Sequence, residues 1–163
     1  LTEDGRPTQF IKNRSGEDAL FHRFWALDGV RIGNRVYVYY LHVYVPDYTK
    51  LLDFKVLYSG LAVWYIPEGW RPGDAVRFKR LGPMFAGEHP AYGASVLRKD
   101  GYIYLAGHFK KGDRFPLSFA RVEEEKIEEA AAYEFLSHNG IWQKNIDRAG
   151  EFFGDVSGEC SIS

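Results

Sequence analysis

From Val36 to Val45 the chain reads VYVYYLHVYV, and only His42 among these ten residues is neither apolar nor aromatic. A sheet with one wet face alternates apolar with polar residues, so a continuous run of this kind predicts a strand covered on both faces. Ahead of it a shorter strand carries Asp28. The Gly33-Asn34 pair between the two tolerates positive φ and predicts a tight hairpin turn. The run is about half the ~20 residues that a helix needs to cross a bilayer, so no membrane span is expected.

The pattern extends in both directions. Residues 1 to 20 are polar, with turn formers at Asp4-Gly5, Arg6-Pro7 and Ser15-Gly16. Phe10-Ile11 within them suggests an edge strand near residues 8 to 12. After a loop through Pro46, Asp47 and Tyr48, GLAVWYI from Gly60 to Ile66 reads as a strand. Past the turn-rich PEGWRPGD, AVRFKRL from Ala75 to Leu81 reads as an exposed outer strand. A second round follows, with AYGASVL from Ala91, a turn at Asp100-Gly101, YIYLAGHF from Tyr102 and PLSFARV from Pro116. Glu, Lys and Ala beyond Val122 favour helix locally. The repeat instead predicts a turn or single helical turn over Glu123 to Glu129, an acidic and solvated stretch, and a strand over Ala131 to Leu136.

Aligning RVYVY with YIYL pairs Tyr37 with Tyr104, an offset of 67 residues that also carries Gly33-Asn34 onto Asp100-Gly101. Each round holds about four strands. Antiparallel rounds at such a period predict an all-β fold of four-stranded blades, a partial β-propeller. One blade covers about residues 21–81, a second about 91–142, and a third begins at 156–163. A β-sandwich of about eight strands is the alternative. The chain opens with Leu1 rather than Met and ends where a strand begins, which reads as a piece of a longer protein.

Composition narrows the functions. At 163 residues the chain suits one domain, and 45% hydrophobic with 26% charged residues is the balance of a folded protein. Its 21 basic and 22 acidic side chains nearly cancel, which leaves no electrostatic footprint for nucleic acid. The single cysteine, Cys160, excludes an internal disulfide and a cysteine-based zinc site. The five histidines lack metal spacing, no glycine-rich phosphate loop opens a helix, and Gly93-Ala-Ser95 only superficially echoes a serine-hydrolase elbow. Neither a metal nor a cofactor is expected.

The segments FWALDGVRIGNRVYVYY, YGASVLRKDGYIYLAGHF, LSFARV followed by AAYEFL and IW, and the closing GECSIS carry a resemblance. The chain resembles the five-bladed β-propeller glycoside hydrolases, the group of arabinanases, xylosidases and invertase relatives. Within that group it looks like a bacterial family that includes endo-D-arabinanases. The resemblance implies hydrolysis of glycosidic bonds, with arabinan-type substrates foremost, a carbohydrate partner, and a secreted, periplasmic or cell-surface location. It also implies an active site at the channel mouth, where innermost strands each offer a carboxylate. Asp28 falls on one such strand, and Glu159 opens the next in a Glu-Cys pair. The repeat counterpart of Asp28 is Ser95, a departure from the family's three acids.

Glycoside hydrolysis needs two carboxyl groups, so Asp28 is the candidate base or nucleophile and Glu159 the candidate acid. Asp28 ahead of Gly29 also suits an Asx-type turn, and Glu159 a strand entry. His22, Trp25, His89, Tyr92 and His108 are candidate substrate-binding residues, with core packing as the alternative for each aromatic. His42, in mid-strand, reads as a hydrogen-bonded core histidine. A non-catalytic glycan-binding or structural propeller segment is the competing function. Two blades cannot close a ring, so missing blades of the parent chain or further copies in a homo-oligomer are expected to cover the open faces.

Overall fold

The computed structural model describes residues 9–50, 53–108, 112 and 114–154. Among the described residues nine antiparallel strands form two sheets: β1 (His22–Ile32), β2 (Arg35–Tyr44), β3 (Lys55–Tyr65) and β4 (Lys79–Ala86) make the first, in the order β1-β2-β3-β4. The second has the order β5-β6-β7-β8-β9, from β5 (Ser95–Lys99), β6 (Tyr102–His108), β7 (Leu117–Glu123), β8 (Glu134–Leu136) and β9 (Trp142–Gln143). Helical structure among the described residues is limited to three-residue 3-10 turns. Gly33 and the Asp100-Gly101 pair take positive φ, as their hairpins require.

The long apolar strand is enclosed as its composition demands. On one side Tyr37 and Tyr39 join Leu61, Val63 and Phe85 against Tyr92, Ile103, Leu105, Val122 and Phe135 of the second half. On the other, Tyr40 and Ala62 pack beneath Ile11, Phe24, Tyr58 and Phe78. Tyr37 therefore points at the second sheet. Its repeat counterpart Tyr104 points away from the first, alternating with the buried Ile103 and Leu105 and lying beside Trp142. The sheets stack front to back. On the second sheet's outer face the Arg121 guanidinium sits 4.7 Å from the Tyr102 ring and 4.6 Å from that of Trp142, and pairs with Glu134 at 2.8 Å.

Hydrogen bonds lock the interface between the sheets. The Tyr133 hydroxyl donates to the Ile127 carbonyl at 2.7 Å, which leaves its oxygen to accept from Tyr39 at 2.8 Å. Tyr37 donates to the Glu128 carboxylate at 2.7 Å, and both its burial and this carboxylate raise its pKa. Gly93 sits under Tyr39 at φ +104°, where an added Cβ would strike the tyrosine's own Cβ.

Several boundaries differ from the sequence pattern. No strand runs through residues 9 to 12; Ile11 is instead a single buried anchor, 2% exposed. The outer strand β4 begins at Lys79, because an Arg71–Asp74 turn and irregular residues precede it and Phe78 packs against Phe10 and Trp64. It then continues through Gly82 and Pro83, which read as breakers, by irregular pairing in which Pro83 faces Gly60. Regular pairing of β5 waits until Ser95 because Gly93 leaves the extended region, although Ala91 and Gly93 already donate to β6 carbonyls. Before β8 the chain makes two 3-10 turns, Glu124–Lys126 and Ala130–Ala132, so the strand shrinks to Glu134–Leu136.

Leu61 is fully buried at the sheet interface, so Leu61→Ala is expected to lose about 2–5 kcal/mol of stability in urea unfolding. Gly93→Ala should be at least as damaging, because strain at positive φ adds to the clash with Tyr39. A Gly93→Ala protein with the wild-type midpoint would contradict this account of the interface.

Candidate functional site

Alternation along β1 sorts its first residues. His22 and Phe24 face the outer side of the first sheet with His42, while Arg23 and Trp25 turn the other way, opposite Val43 and Leu41. There the loop after β2 folds back to make a groove of about 270 Å³ lined by Arg23, Trp25, Val45, Tyr48, Thr49, Lys50, Asp53 and Phe54. Asp47 starts that loop by accepting from the Thr49 amide at 3.0 Å and its hydroxyl at 2.6 Å, an Asx-type turn. These two bonds also lower the Asp47 pKa.

The groove is aromatic and wet at once. Trp25 and Phe54 meet edge to face with centroids 4.8 Å apart, yet Trp25 stays 38% exposed, Phe54 40% and Tyr48 57%. Large aromatic faces left open to water are costly unless something uses them. Arg23 and Lys50 supply donors and Asp53 an acceptor beside those faces, a set that suits a polyhydroxylated ring with apolar C–H faces. A second, larger concavity of about 410 Å³ is lined by Lys55, Val56, Leu57, Gly87 and Glu88 and offers no aromatic face.

Asp28 occupies a β-bulge in β1, where the register shifts between Ala26 and Gly29. One carboxylate oxygen accepts from the Gly29 amide at 2.7 Å, the local turn geometry its sequence suggested. The other accepts from the Val96 amide of β5 at 2.8 Å, and the Asp28 amide donates to the Gly93 carbonyl at 3.0 Å. Asp28 thus fastens the edge strand β1 of one sheet to the edge strand β5 of the other. It remains exposed to solvent. Ser95, its repeat counterpart, is buried at the start of β5.

The other sequence candidates scatter. Glu159 lies outside the described residues. Tyr92 is fully enclosed in the core with its hydroxyl 2.9 Å from Ser118, out of reach of a ligand in the groove. His22 stands on the opposite side of β1 from Trp25, with its Nδ1 3.0 Å from His42 Nε2. His89 is half-buried in the turn after β4. His108 is nearer the groove, since its carbonyl accepts from Ala91, and Ala91 packs with the cluster that includes the groove residue Val45. Burial lowers the His108 pKa. Of the five substrate-binding candidates, only Trp25 lines the groove. Its partners Tyr48 and Phe54 sit in a loop, and their one sequence signal is that aromatics there have no strand to pack into.

No cluster of three or more histidine, cysteine or acidic residues among the described residues is placed to hold a metal ion. No helix among them is long and apolar enough to cross a membrane.

No family model matches the chain, and no curated protein matches it significantly. Among solved structures it is similar to a crystal structure from Bacteroides ovatus ATCC 8483 described as a "putative hydrolase", with 19% identity and a TM-score of 0.52. The likeness covers 76% of this chain and 29% of that one, so the chain spans less than a third of that protein's length. At this identity the likeness is one of fold alone, and in this chain that fold is two antiparallel sheets of four and five strands.

Proposed function

We propose that this chain is two blades of a carbohydrate-active β-propeller, and that its own contribution is to hold a saccharide in the groove beside Trp25. The observation that carries the reading is the open Trp25–Phe54–Tyr48 surface flanked by Arg23, Lys50 and Asp53. Flat rings match the C–H face of a sugar, and the charged groups reach its hydroxyls. At about 270 Å³ the groove falls just below the roughly 300–1,000 Å³ of typical ligand pockets, a size for one sugar unit of a longer chain. An arabinan-type polysaccharide is the first ligand to test, since the sequence motifs resemble those of arabinan-cleaving propellers.

Front-to-back stacking supports the propeller part of the reading, because blades around an axis present the same face to each successor. The Asp28 bridge between β1 and β5 suits adjacent innermost strands. The outer face of the second sheet, with Tyr104, Arg121 and Trp142, is where another blade or another copy would sit.

A second reading, hydrolysis with Asp28 as base or nucleophile, has its exposure in favour. Against it, both carboxylate oxygens already accept backbone amides. Whether its neighbour from Bacteroides ovatus lends it a hydrolase's chemistry is a question for assay.

Affinity electrophoresis in soluble arabinan and xylan tests the main reading. Wild type should be retarded by at least one of them, and Trp25→Ala should weaken binding about tenfold, the ~1.4 kcal/mol that an aromatic stacking contact supplies. Failure to bind any of these glycans would sink it. Asp28→Ala is expected to lose about 1 kcal/mol of stability through its two amide partners while still binding glycan. Reducing-sugar release by wild type that vanishes in Asp28→Asn at unchanged stability would instead make the chain a hydrolase.

A further inference from the structure

The outer face of the first sheet buries a charged cluster that the groove does not use. His42 is 5% exposed and Arg80 6%. Crossing them is the segment of residues 9–21, held by four kinds of contact. Ile11 inserts against Tyr40 and Ala62, and the Phe10 ring lies 4.4 Å from that of Phe78. The Asn13 side-chain amide donates to the His22 carbonyl at 3.0 Å, and the Arg14 guanidinium to the Arg80 carbonyl at 2.8 Å. Glu17 accepts from the Arg80 guanidinium at 2.6 Å and from the Arg14 amide at 2.7 Å.

We propose that the His22–His42 pair is a proton-operated latch that keeps residues 9–21 across this face at neutral pH and releases them in mild acid. The geometry of the pair sets the rule. Nδ1 of His22 lies 3.0 Å from Nε2 of His42, so one nitrogen carries the proton and the other must be bare. His42 Nδ1 is buried with no hydrogen-bond partner in the structure. A proton there would be an unsatisfied buried donor, which assigns the bare nitrogen to Nδ1 and makes Nε2 the donor to His22. Protonating either ring fully therefore breaks something. A proton on His22 Nδ1 opposes two N–H groups, and a proton on His42 Nδ1 has no acceptor.

The surroundings amplify the effect. Facing the pair are Arg14 and Glu17 from the segment itself, Tyr40 and Tyr44 from β2, Tyr58 from β3 and Arg80 from β4. The Asp18 carboxylate accepts from the Leu20 amide, and among the described residues Glu17 is the carboxylate bonded within the cluster. With both rings cationic, four positive groups would surround one carboxylate, and their mutual repulsion works against closure while the attraction of Glu17 works for it. Burial lowers the His42 pKa, and the neighbouring His22 and Arg80 charges act in the same direction while Glu17 opposes them. Burial tends to raise the Glu17 pKa, but the bonds from Arg80 and the Arg14 amide outweigh it and the net shift is downward.

The signs agree. Burial on this face favours the neutral form of His42, so closure is complete above the ordinary histidine pKa of about 6.5 and weakens as pH falls below it. Glu17 adds a second loss in the same direction below its ordinary value of about 4.3. Release would bare Phe24, Tyr40 and Tyr58, an apolar surface hidden at neutral pH.

Hydrogen exchange on the full chain at pH 7.5 and pH 5.5, corrected for the intrinsic pH dependence of exchange, tests the latch. The amides of Arg14, Glu17, Phe21 and His22 are hydrogen-bonded in the docked segment and report its opening. Their opening should rise by up to about tenfold at the lower pH, which lies one unit below the ordinary histidine pKa of about 6.5, while β6 and β7 stay protected. In His42→Gln the step should disappear. His22→Gln, at a half-exposed position, gives the same reading if the buried substitution does not fold. A flat wild-type profile, a step that survives both substitutions, or a rise that spreads equally to β6 and β7 would each overturn the proposal.

Discussion

Everything in this molecule depends on one close approach, that of the Tyr39 side chain to the backbone of Gly93. The two sheets meet through large rings, and rings of that size leave no room for a side chain at the crossing point. Glycine supplies both the space and the positive φ that swings the chain from the end of one round into the next. Tyr39 then reaches Tyr133, which is itself tied to Ile127, so a contact made early in the chain orders the turn region that leads into β8. Phenols buried this thoroughly need partners, and Tyr39 and Tyr133 find them in each other and in the Ile127 carbonyl.

The same packing fixes where chemistry can occur. Although much of the first sheet is covered on both faces, Arg23, Trp25, Ala26, Asp28 and Arg31 of β1 escape burial. Asp28 and Trp25 are both among them, three residues apart but committed to different tasks. The carboxylate is drawn sideways to the neighbouring strand β5, whereas the indole is left facing the loop that follows β2. A single bulge thus separates the residue that joins the sheets from the residue that meets solvent.

The sheets themselves were legible because the relevant signals are local. An unbroken apolar run, two hairpin turns and a 67-residue repeat foretold the strand pairs β1–β2 and β5–β6, and the repeat rightly argued against a long helix after Val122, although Ala130–Ala132 make a 3-10 turn where it placed the start of a strand. What the pattern could not show was long-range. Ile11 looked like part of an edge strand, although its burial comes from Tyr40 and Ala62, which lie far along the chain. Tyr92 looked accessible because nothing local says that Ser118 closes over it. Trp25 was found, but Tyr48, Phe54 and Arg23 were not, since a groove exists only once the loop has folded back. His42 was read as a hydrogen-bonded core residue, and its partner turned out to be His22 across the hairpin.

The irregular fourth strand has a bearing on self-association. A free sheet edge invites another chain to extend it by hydrogen bonding, the first step toward ordered aggregates. On β4 the ladder is interrupted at Gly82 and Pro83, and proline has no amide hydrogen to offer an incoming strand. At the far side of the second sheet, β9 is only two residues long. These two sheet edges are therefore poor templates for strand addition.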